Sequence, residues 1–201
     1  MSSLPNDRKN SAELIIKKGW LSGVEIQPSS HFEPRAENEA VSLLVVHNIS
    51  LPPGQFGTDH ITNFFLGNLD PSIDPYFESI YRLRVSAHCL IQRDGNIVQY
   101  VSFNNKAWHA GLSCYQGREK CNDFSIGIEL EGTDDIPYTE VQYQQLSRVS
   151  HSLIGIYAGL ENNIVGHSDI APGRKTDPGA AFNWPSFRAL LIKKLSVSSG
   201  Q

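Results

Sequence analysis

Three residues with metal-binding side chains lie at points where predicted strands end. His47 follows the apolar run Leu43-Leu44-Val45-Val46, and His167 and Asp177 both lie in the polar segment 163–179. Two imidazoles and one carboxylate are a known ligand set of catalytic zinc sites, which keep one coordination position for water. Because zinc makes a bound water nucleophilic near neutral pH, this set predicts a metal-dependent hydrolase.

Each of the three residues also has an ordinary structural interpretation. A single histidine at a strand end often bonds to a backbone carbonyl in the core, and Asp177 precedes Pro178-Gly179, where it could simply form a turn. Their combination favours the metal site. A loop over 163–179 that curls across the end of a sheet can bring His167 and Asp177 together, and His47 then needs only a neighbouring strand.

Two further charged residues suit hydrolysis at such a site. Lys175 is two positions from Asp177, so both side chains point the same way in an extended stretch, where a lysine could stabilise a tetrahedral oxyanion. Glu129 lies mid-strand beside Gly127, whose missing side chain would leave room for a pocket. A carboxylate there can take a proton from water and return it to a leaving amine. The alternatives are a solvated loop lysine and a solvent-facing strand.

Composition restricts the class of protein. The chain has 201 residues, with 40% hydrophobic and 19% charged residues, which suits one soluble domain over 1–201. A net charge of −4 and the lack of a basic stripe argue against nucleic acid as a partner. We expect no secretory signal in residues 1–10 and no membrane span, since no apolar run approaches roughly 18 residues. Residues 1–10 and 196–201 are expected to fray.

Cysteine usage agrees with a reducing compartment. Cys89, Cys114 and Cys121 are an odd number without a Cys-x-x-Cys pair, so free thiols are expected. A disulfide between Cys114 and Cys121 is the less favoured alternative.

Strand and helix patterns alternate along the chain, which predicts an α/β fold with a central mixed sheet flanked by helices. Asp-Gly at 94–95 predicts a hairpin turn, and Thr139-x-x-Gln142 predicts a capping box. The predicted strands are 41–46, 85–92, 97–101, 124–131 and 163–167, and the predicted helices are 58–66, 75–83, 139–158 and 184–195.

Five motifs closely resemble the cytoplasmic 1,6-anhydro-N-acetylmuramyl-L-alanine amidases of Gram-negative bacteria, over roughly residues 20–190. They are Val45-Val-His-Asn-Ile-Ser-Leu-Pro-Pro-Gly54, Arg84-Val-Ser-Ala-His-Cys-Leu-Ile91, Lys106-Ala-Trp-His-Ala-Gly-Leu-Ser-Cys-Tyr-Gln-Gly-Arg118, Cys121-Asn-Asp-Phe-Ser-Ile-Gly-Ile-Glu-Leu-Glu-Gly132 and Gly166-His-Ser-Asp-Ile-Ala-Pro-Gly-Arg-Lys-Thr-Asp-Pro-Gly179. The wider family includes phage amidase lysozymes and animal peptidoglycan-recognition proteins, which share a mixed sheet flanked by helices.

The resemblance implies one zinc ion at His47, His167 and Asp177, with Glu129 as general acid/base and Lys175 stabilising the transition state. It also implies a substrate, an anhydro-muropeptide cut between the lactyl group of anhydro-N-acetylmuramic acid and L-alanine, and a place in peptidoglycan recycling in the bacterial cytoplasm. Phage relatives use a tyrosine beside the metal, for which spacing identifies no equivalent in this chain.

Four residues beside these motifs are candidates for substrate binding. Trp108 and His109 could place a ring against the sugar, and Asn48 and Arg84 could bind stem-peptide carboxylates or sugar oxygens. The alternatives are a core tryptophan and surface ion pairs. We expect a monomer.

Two other functions fit part of the pattern. A non-catalytic muropeptide sensor on the same fold would be expected to lack a ligand or the acid/base, whereas every expected position is filled here. A non-haem iron oxygenase also uses two histidines and a carboxylate, but Glu129 and Lys175 suit oxyanion chemistry better.

Overall fold

A six-stranded mixed sheet forms the centre of the computed structural model, which describes residues 14–198. The strands are β3 (Glu25–Ile26), β5 (Leu43–Ile49), β6 (Cys89–Ile91), β7 (Ile97–Gln99), β11 (Ser125–Glu131) and β12 (Ile164–Gly166). Their order in the sheet is β12-β5-β11-β6-β7-β3, in which β12, β5, β11 and β6 run parallel and β7 pairs antiparallel with β6. The prediction of a mixed sheet is therefore confirmed.

Short strand pairs and helices surround this sheet. The pairs are β1 (Ile16–Lys17) with β2 (Trp20–Leu21), β4 (Phe32–Pro34) with β8 (Asn105–Ala107), and β9 (Cys114–Tyr115) with β10 (Arg118–Glu119). The α-helices are α1 (His60–Leu66), α2 (Glu140–Ile154), α3 (His167–Ile170) and α4 (Trp184–Ser198), and the 3₁₀ turns are Phe77–Ser79, Cys121–Asp123 and Ala158–Leu160. Sequence patterns did not reveal the short pairs, since two- and three-residue strands have no readable periodicity.

Strands β5 and β11, at the centre of the sheet, position two of the candidate site residues. Every residue of β11 is buried, as is normal for a parallel strand covered on both faces. Its alternate side chains Ile126, Ile128 and Leu130 pack in the same core cluster as α2 and α4. The opposite face carries Glu129, which is the register partner of His47 on β5. The carboxyl ends of these strands therefore place both residues at one edge of the sheet.

Helix α2 closes one face of the sheet and begins as predicted. The Thr139 hydroxyl accepts a hydrogen bond from the backbone N–H of Gln142, whose side chain in turn accepts one from the backbone N–H of Thr139. Leu146, Val149 and Leu153 are fully buried against the sheet. The helix ends at Ile154, four residues before the predicted end.

The predicted helix over residues 75–83 is wrong. Only the 3₁₀ turn at Phe77–Ser79 forms, although the Asp74 carboxylate does accept from the backbone N–H of Tyr76. The apolar spacing was misleading because the structure buries Phe77, whereas Tyr76 and Leu83 are 42% and 50% exposed. One turn is enough to bury one large ring.

The sequence also led to predictions for the ends of the chain and for the cysteines. The predicted frayed residues 1–10 and 199–201 lie outside the described part of the chain, but α4 continues through 196–198. Cys89, Cys114 and Cys121 are free, as expected. Among residues 14–198, no helix has the length and apolar character needed to cross a bilayer.

Candidate metal centre

Three ligand atoms meet at the carboxyl edge of the sheet. His47 Nδ1 lies 3.0 Å from His167 Nδ1, and each of these nitrogens lies 3.1 Å from Asp177 Oδ2. Both histidines are buried and Asp177 is half-buried. Atoms that share a tetrahedral zinc ion at ~2.0–2.1 Å are roughly 3.3 Å apart, so these spacings fit a single ion.

Backbone geometry explains why distant residues converge. His47 is the fifth residue of β5, and its neighbour Val46 pairs with Gly166, the last residue of β12. His167 follows immediately as the first residue of α3. Asp177 returns to the site because the backbone N–H of Ser168 donates to the Asp177 carbonyl at 3.0 Å. The loop thus curls over the sheet as predicted.

The contact made by Nε2 of each imidazole determines whether its Nδ1 atom carries a proton or a lone pair. His167 Nε2 lies 3.2 Å from the Ala110 carbonyl oxygen, which can only accept, so this nitrogen carries the proton. His47 Nε2 lies 2.9 Å from Nδ1 of His109. If His47 Nε2 is the donor there, both Nδ1 atoms present lone pairs to the Asp177 carboxylate. Such a set of three acceptors needs a cation between them, which is the condition a metal ion satisfies.

Burial favours the neutral imidazole of His47 and of its neighbour His109. It lowers the pKa of His47 to about 4, even though the Asp177 carboxylate acts in the opposite direction. It also lowers the pKa of His109 well below the ordinary value, and the neighbouring histidines add to this effect. For Asp177, burial raises the pKa, but contacts with His167 and His47 outweigh it and the net shift is downward. The centre therefore combines the neutral imidazole of His47 with the carboxylate of Asp177, and each is in the protonation state that metal binding requires.

Glu129 provides an unpaired carboxylate next to this cluster. It is 8% exposed, and its Oε2 atom has no hydrogen-bond partner among the described residues. Burial raises the pKa of Glu129 well above the ordinary value, the Asp177 charge raises it further, and Lys175 lowers it. A buried carboxyl group with a raised pKa can exchange a proton near neutral pH, as a general acid/base must.

A cavity of about 620 Å³ opens above the cluster. Its floor includes His47, His167, Asp177 and Glu129, and the exposed Lys175 lies on its wall. The remaining lining is mixed, with an apolar side made by residues of the segments 49–53, 64–65 and 76–85. Space for a ligand of moderate size therefore lies directly against the candidate metal centre.

The four candidate substrate residues have different surroundings. Asn48 and Trp108 line the cavity, and the Asn48 amide donates to Asp134 at 2.8 Å. Arg84 is not part of the cavity lining and lies 5.4 Å from the centre of the Trp108 ring, so it supports that ring from outside. His109 reaches the cavity, but both of its ring nitrogens contact protein atoms, His47 on one side and Ser125 on the other.

The structure corrects the expected role of Gly127. A Cβ atom at this position would lie 2.4 Å from Cγ of His109, so the missing side chain makes room for that ring instead of an open pocket. Sequence reasoning also missed three residues behind the site, Ala110, Asn122 and Ser125. The run Ala107-Trp-His-Ala-Gly111 was noticed for its aromatic residues, but nothing in its pattern indicates which backbone atom meets an imidazole.

Known proteins that are similar to this chain belong to the family that its motifs resemble. Residues 37–180 match the family model described as N-acetylmuramoyl-L-alanine amidase. The 1,6-anhydro-N-acetylmuramyl-L-alanine amidase AmpD of Escherichia coli (strain K12) is 58% identical over 181 residues, which are 90% of this chain and 99% of that protein. These matches confirm the resemblance inferred from the motifs.

Solved structures give the same result for the fold. The crystal structure of a selenomethionine AmpD derivative has 59% identity and a TM-score of 0.87, covering 89% of this chain and 99% of that one. A more distant structure is the complex of the N-acetylmuramyl-L-alanine amidase AmiD from E. coli with the substrate anhydro-N-acetylmuramic acid-L-Ala-D-γ-Glu-L-Lys. It has 26% identity and a TM-score of 0.55, covering 89% of this chain and 65% of that one.

Proposed function

Because this chain belongs to the N-acetylmuramoyl-L-alanine amidase family, we propose that it is a zinc-dependent amidase of peptidoglycan recycling. Its substrate is an anhydro-muropeptide, cut at the amide between the lactyl group of anhydro-N-acetylmuramic acid and L-alanine. The name of the E. coli relative and the substrate bound to AmiD both support this choice. We further propose one domain over residues 1–201, a monomer, and a cytoplasmic location.

One observation carries the proposal. Three atoms able to bind a metal, Nδ1 of His47, Nδ1 of His167 and Oδ2 of Asp177, lie 3.0–3.1 Å from one another on the floor of a cavity, and the unpaired carboxylate of Glu129 is buried beside them. A purely structural cluster would fill these acceptors with hydrogen-bond donors. A non-catalytic sensor would have no need for a buried carboxyl group that costs free energy to keep without a partner.

The residues fit zinc, held by His47, His167 and Asp177. When bound, zinc with one open position would polarise the scissile carbonyl and lower the pKa of a water molecule. Asp177 also offsets part of the ion's charge, and burial of the two imidazoles excludes competing solvent from the ligand atoms. Glu129 is not needed as a ligand, because three protein ligands are the usual number at a catalytic zinc site.

Glu129 handles the proton in both halves of the reaction. Its carboxylate takes a proton from the attacking water while the water oxygen forms a bond to the lactyl carbonyl carbon. The protonated carboxyl group then gives this proton to the alanine nitrogen as the carbon–nitrogen bond breaks. The products are the lactyl carboxylic acid and the free amino group of the peptide, so atoms and protons balance.

Charge on the carbonyl oxygen is stabilised by Lys175. Its ammonium group lies on the cavity wall and is close enough to Glu129 to lower the pKa of that carboxyl group. A cation here favours negative charge that develops during attack. For the rest of the substrate, we propose that Asn48 and Trp108 contact the bound ligand directly and that Arg84 supports the Trp108 ring.

The decisive experiment compares Glu129→Gln with the parent enzyme. Glutamine keeps the shape of the side chain but cannot accept the proton from water. We expect an unchanged zinc content and a turnover of anhydro-muropeptide reduced by about 10²–10⁴-fold. Elemental analysis and a chromatographic assay of released peptide provide the two readouts. Near-normal turnover in this variant would refute the assignment of Glu129.

Glu131→Gln is a matched control. Glu131 lies two residues further along the same buried face of β11, and its carboxylate accepts from the backbone N–H groups of Gly57 and Arg93. The same substitution there should lower stability and spare turnover per folded molecule. Elemental analysis of the parent also tests the metal, since a protein that retains iron and shows redox-dependent activity would contradict a zinc amidase.

A further inference from the structure

We propose that the dipeptide His109-Ala110 fixes the orientation of both imidazole ligands, so that Nδ1 of His47 and Nδ1 of His167 face the metal. The proposal rests on the proposed function, because it assumes that these histidines are zinc ligands. It assigns His109 a positioning role that differs from direct contact with the sugar.

The first contact is between two side chains. His109 Nδ1 lies 2.9 Å from His47 Nε2, and the two rings meet edge to face at an interplanar angle of 84°. His109 Nε2 lies 3.1 Å from the Ser125 hydroxyl oxygen, which can accept its proton. With the proton of His109 on Nε2, its Nδ1 is an acceptor for the N–H of His47. The lone pair of His47 is then left on Nδ1, toward the metal.

The second contact uses the next residue and its backbone. The Ala110 carbonyl oxygen lies 3.2 Å from His167 Nε2 and has no alternative role as a donor. The Arg174 guanidinium also donates to this oxygen at 2.6 Å, which holds it in place. The same Arg174 nitrogen lies 3.5 Å from His167 Nε2, but it is committed to the shorter bond with the carbonyl oxygen, and the shorter contact of Nε2 is also with that oxygen. This geometry places the proton of His167 on Nε2 and leaves its Nδ1 free to bind. Two consecutive residues thus impose the same tautomer on two ligands that are 120 positions apart.

The dipeptide is itself held rigidly. The Asn122 side-chain oxygen accepts from the backbone N–H of His109 at 3.1 Å and from that of Ala110 at 2.8 Å. One amide therefore anchors both residues. Gly127 completes the arrangement, since a Cβ atom there would lie 2.4–2.7 Å from three atoms of the His109 ring. Only a residue without a side chain lets the ring lie against β11.

Hydrogen bonds behind metal ligands affect affinity because they fix both the tautomer and the ring orientation before the ion arrives. Loss of such a partner typically weakens metal binding by about 10–100-fold. The relevant readouts are therefore the zinc dissociation constant and the ¹⁵N chemical shifts of the histidine rings in the zinc-loaded protein, which report which nitrogen binds and which carries a proton.

The main test compares two substitutions of similar size. His109→Asn places an amide oxygen where Nδ1 was, so it keeps an acceptor for His47, whereas His109→Leu removes it. We expect His109→Leu to weaken zinc binding by about 10–100-fold and His109→Asn to stay within about threefold of the parent. His31→Asn is the control, because it removes another buried imidazole. The His31 ring is bonded to the Val85 carbonyl and contacts none of the three proposed zinc-binding residues. It should leave zinc affinity unchanged.

A second test begins with a substitution that removes no polar side chain. Gly127→Ala should displace the His109 ring and weaken zinc binding in the parent, but it should have little further effect when combined with His109→Ala, which vacates the space. Equal affinities for the parent and His109→Leu, or equal effects of Gly127→Ala in both backgrounds, would overturn the positioning role. A parent protein that binds no zinc would instead overturn the proposed function, so the two failures are distinguishable.

Discussion

The acid stability of this protein should depend strongly on His88. This imidazole is fully buried, with its Nδ1 accepting from the backbone N–H of Gly127 at 3.0 Å and its Nε2 3.1 Å from the Asn105 carbonyl oxygen. Burial lowers the pKa of His88 from 6.5 to about 3, and the nearby Arg35 guanidinium lowers it further. The rings of His109 and Phe103 also face it, and neither adds a negative charge.

The sign of the effect follows from proton binding. Below pH 6.5 the unfolded chain binds a proton at His88 that the folded state excludes until about pH 3. The contribution of the neutral His88 to the free energy of unfolding is therefore fully present above pH 6.5 and is lost as the pH falls toward 3. For one site with these values, the loss between pH 7 and pH 5 is about 2 kcal/mol, because each pKa unit corresponds to about 1.4 kcal/mol.

Two variants isolate this titration from the structural cost of substitution. His88→Asn keeps an acceptor for Gly127, and His88→Gln keeps a donor for Asn105, so they disturb the site differently while both remove the titrating ring. Urea unfolding at pH 7, 6 and 5, with metal chelated in every sample, measures the free energy of unfolding. We expect both variants to lose about 2 kcal/mol less than the parent between pH 7 and pH 5. Parallel curves for all three proteins would refute the reasoning.

Substitutions in the core, at the start of α2 and at the candidate metal centre should also have distinct effects on stability. Ile128→Ala, in the fully buried centre of β11, should lower the free energy of unfolding by about 2–5 kcal/mol, whereas Leu112→Ala, at a site 86% exposed, should change it by less than about 0.5 kcal/mol in urea titrations. Thr139→Ala removes the capping box of α2 and should cost about 1 kcal/mol by the same measurement, with Thr139→Ser largely restoring it. Zinc at 100 times its dissociation constant should stabilise the parent by about 2.7 kcal/mol, and calorimetry of Asp177→Ala at the same zinc concentration should show no comparable gain.

Local sequence patterns determined the central elements of the fold. The apolar, β-branched run 41–46 predicted β5 as a strand covered on both faces, and the alternation of Ile126, Ile128 and Leu130 with less apolar residues predicted β11. The Asp94-Gly95 turn gave the pairing of β6 with β7, and Thr139 gave the start of α2. Each of these features depends on residues that are neighbours along the chain. The same rules failed over 75–83, where tertiary packing buries one aromatic ring and the helical spacing has no consequence.

The residue types of the candidate site were also predictable, since a hydrolase needs ligands, an acid/base and a cation in recognisable motifs. The sequence did not contain the register that sets Glu129 beside His47, or the turn that returns Asp177 to His167. It could not show which nitrogen of each imidazole faces inward, because that depends on acceptors brought from β11 and the 109–110 loop. Only the folded chain places Gly127 under the ring of His109, so only the tertiary structure reveals what that glycine is for.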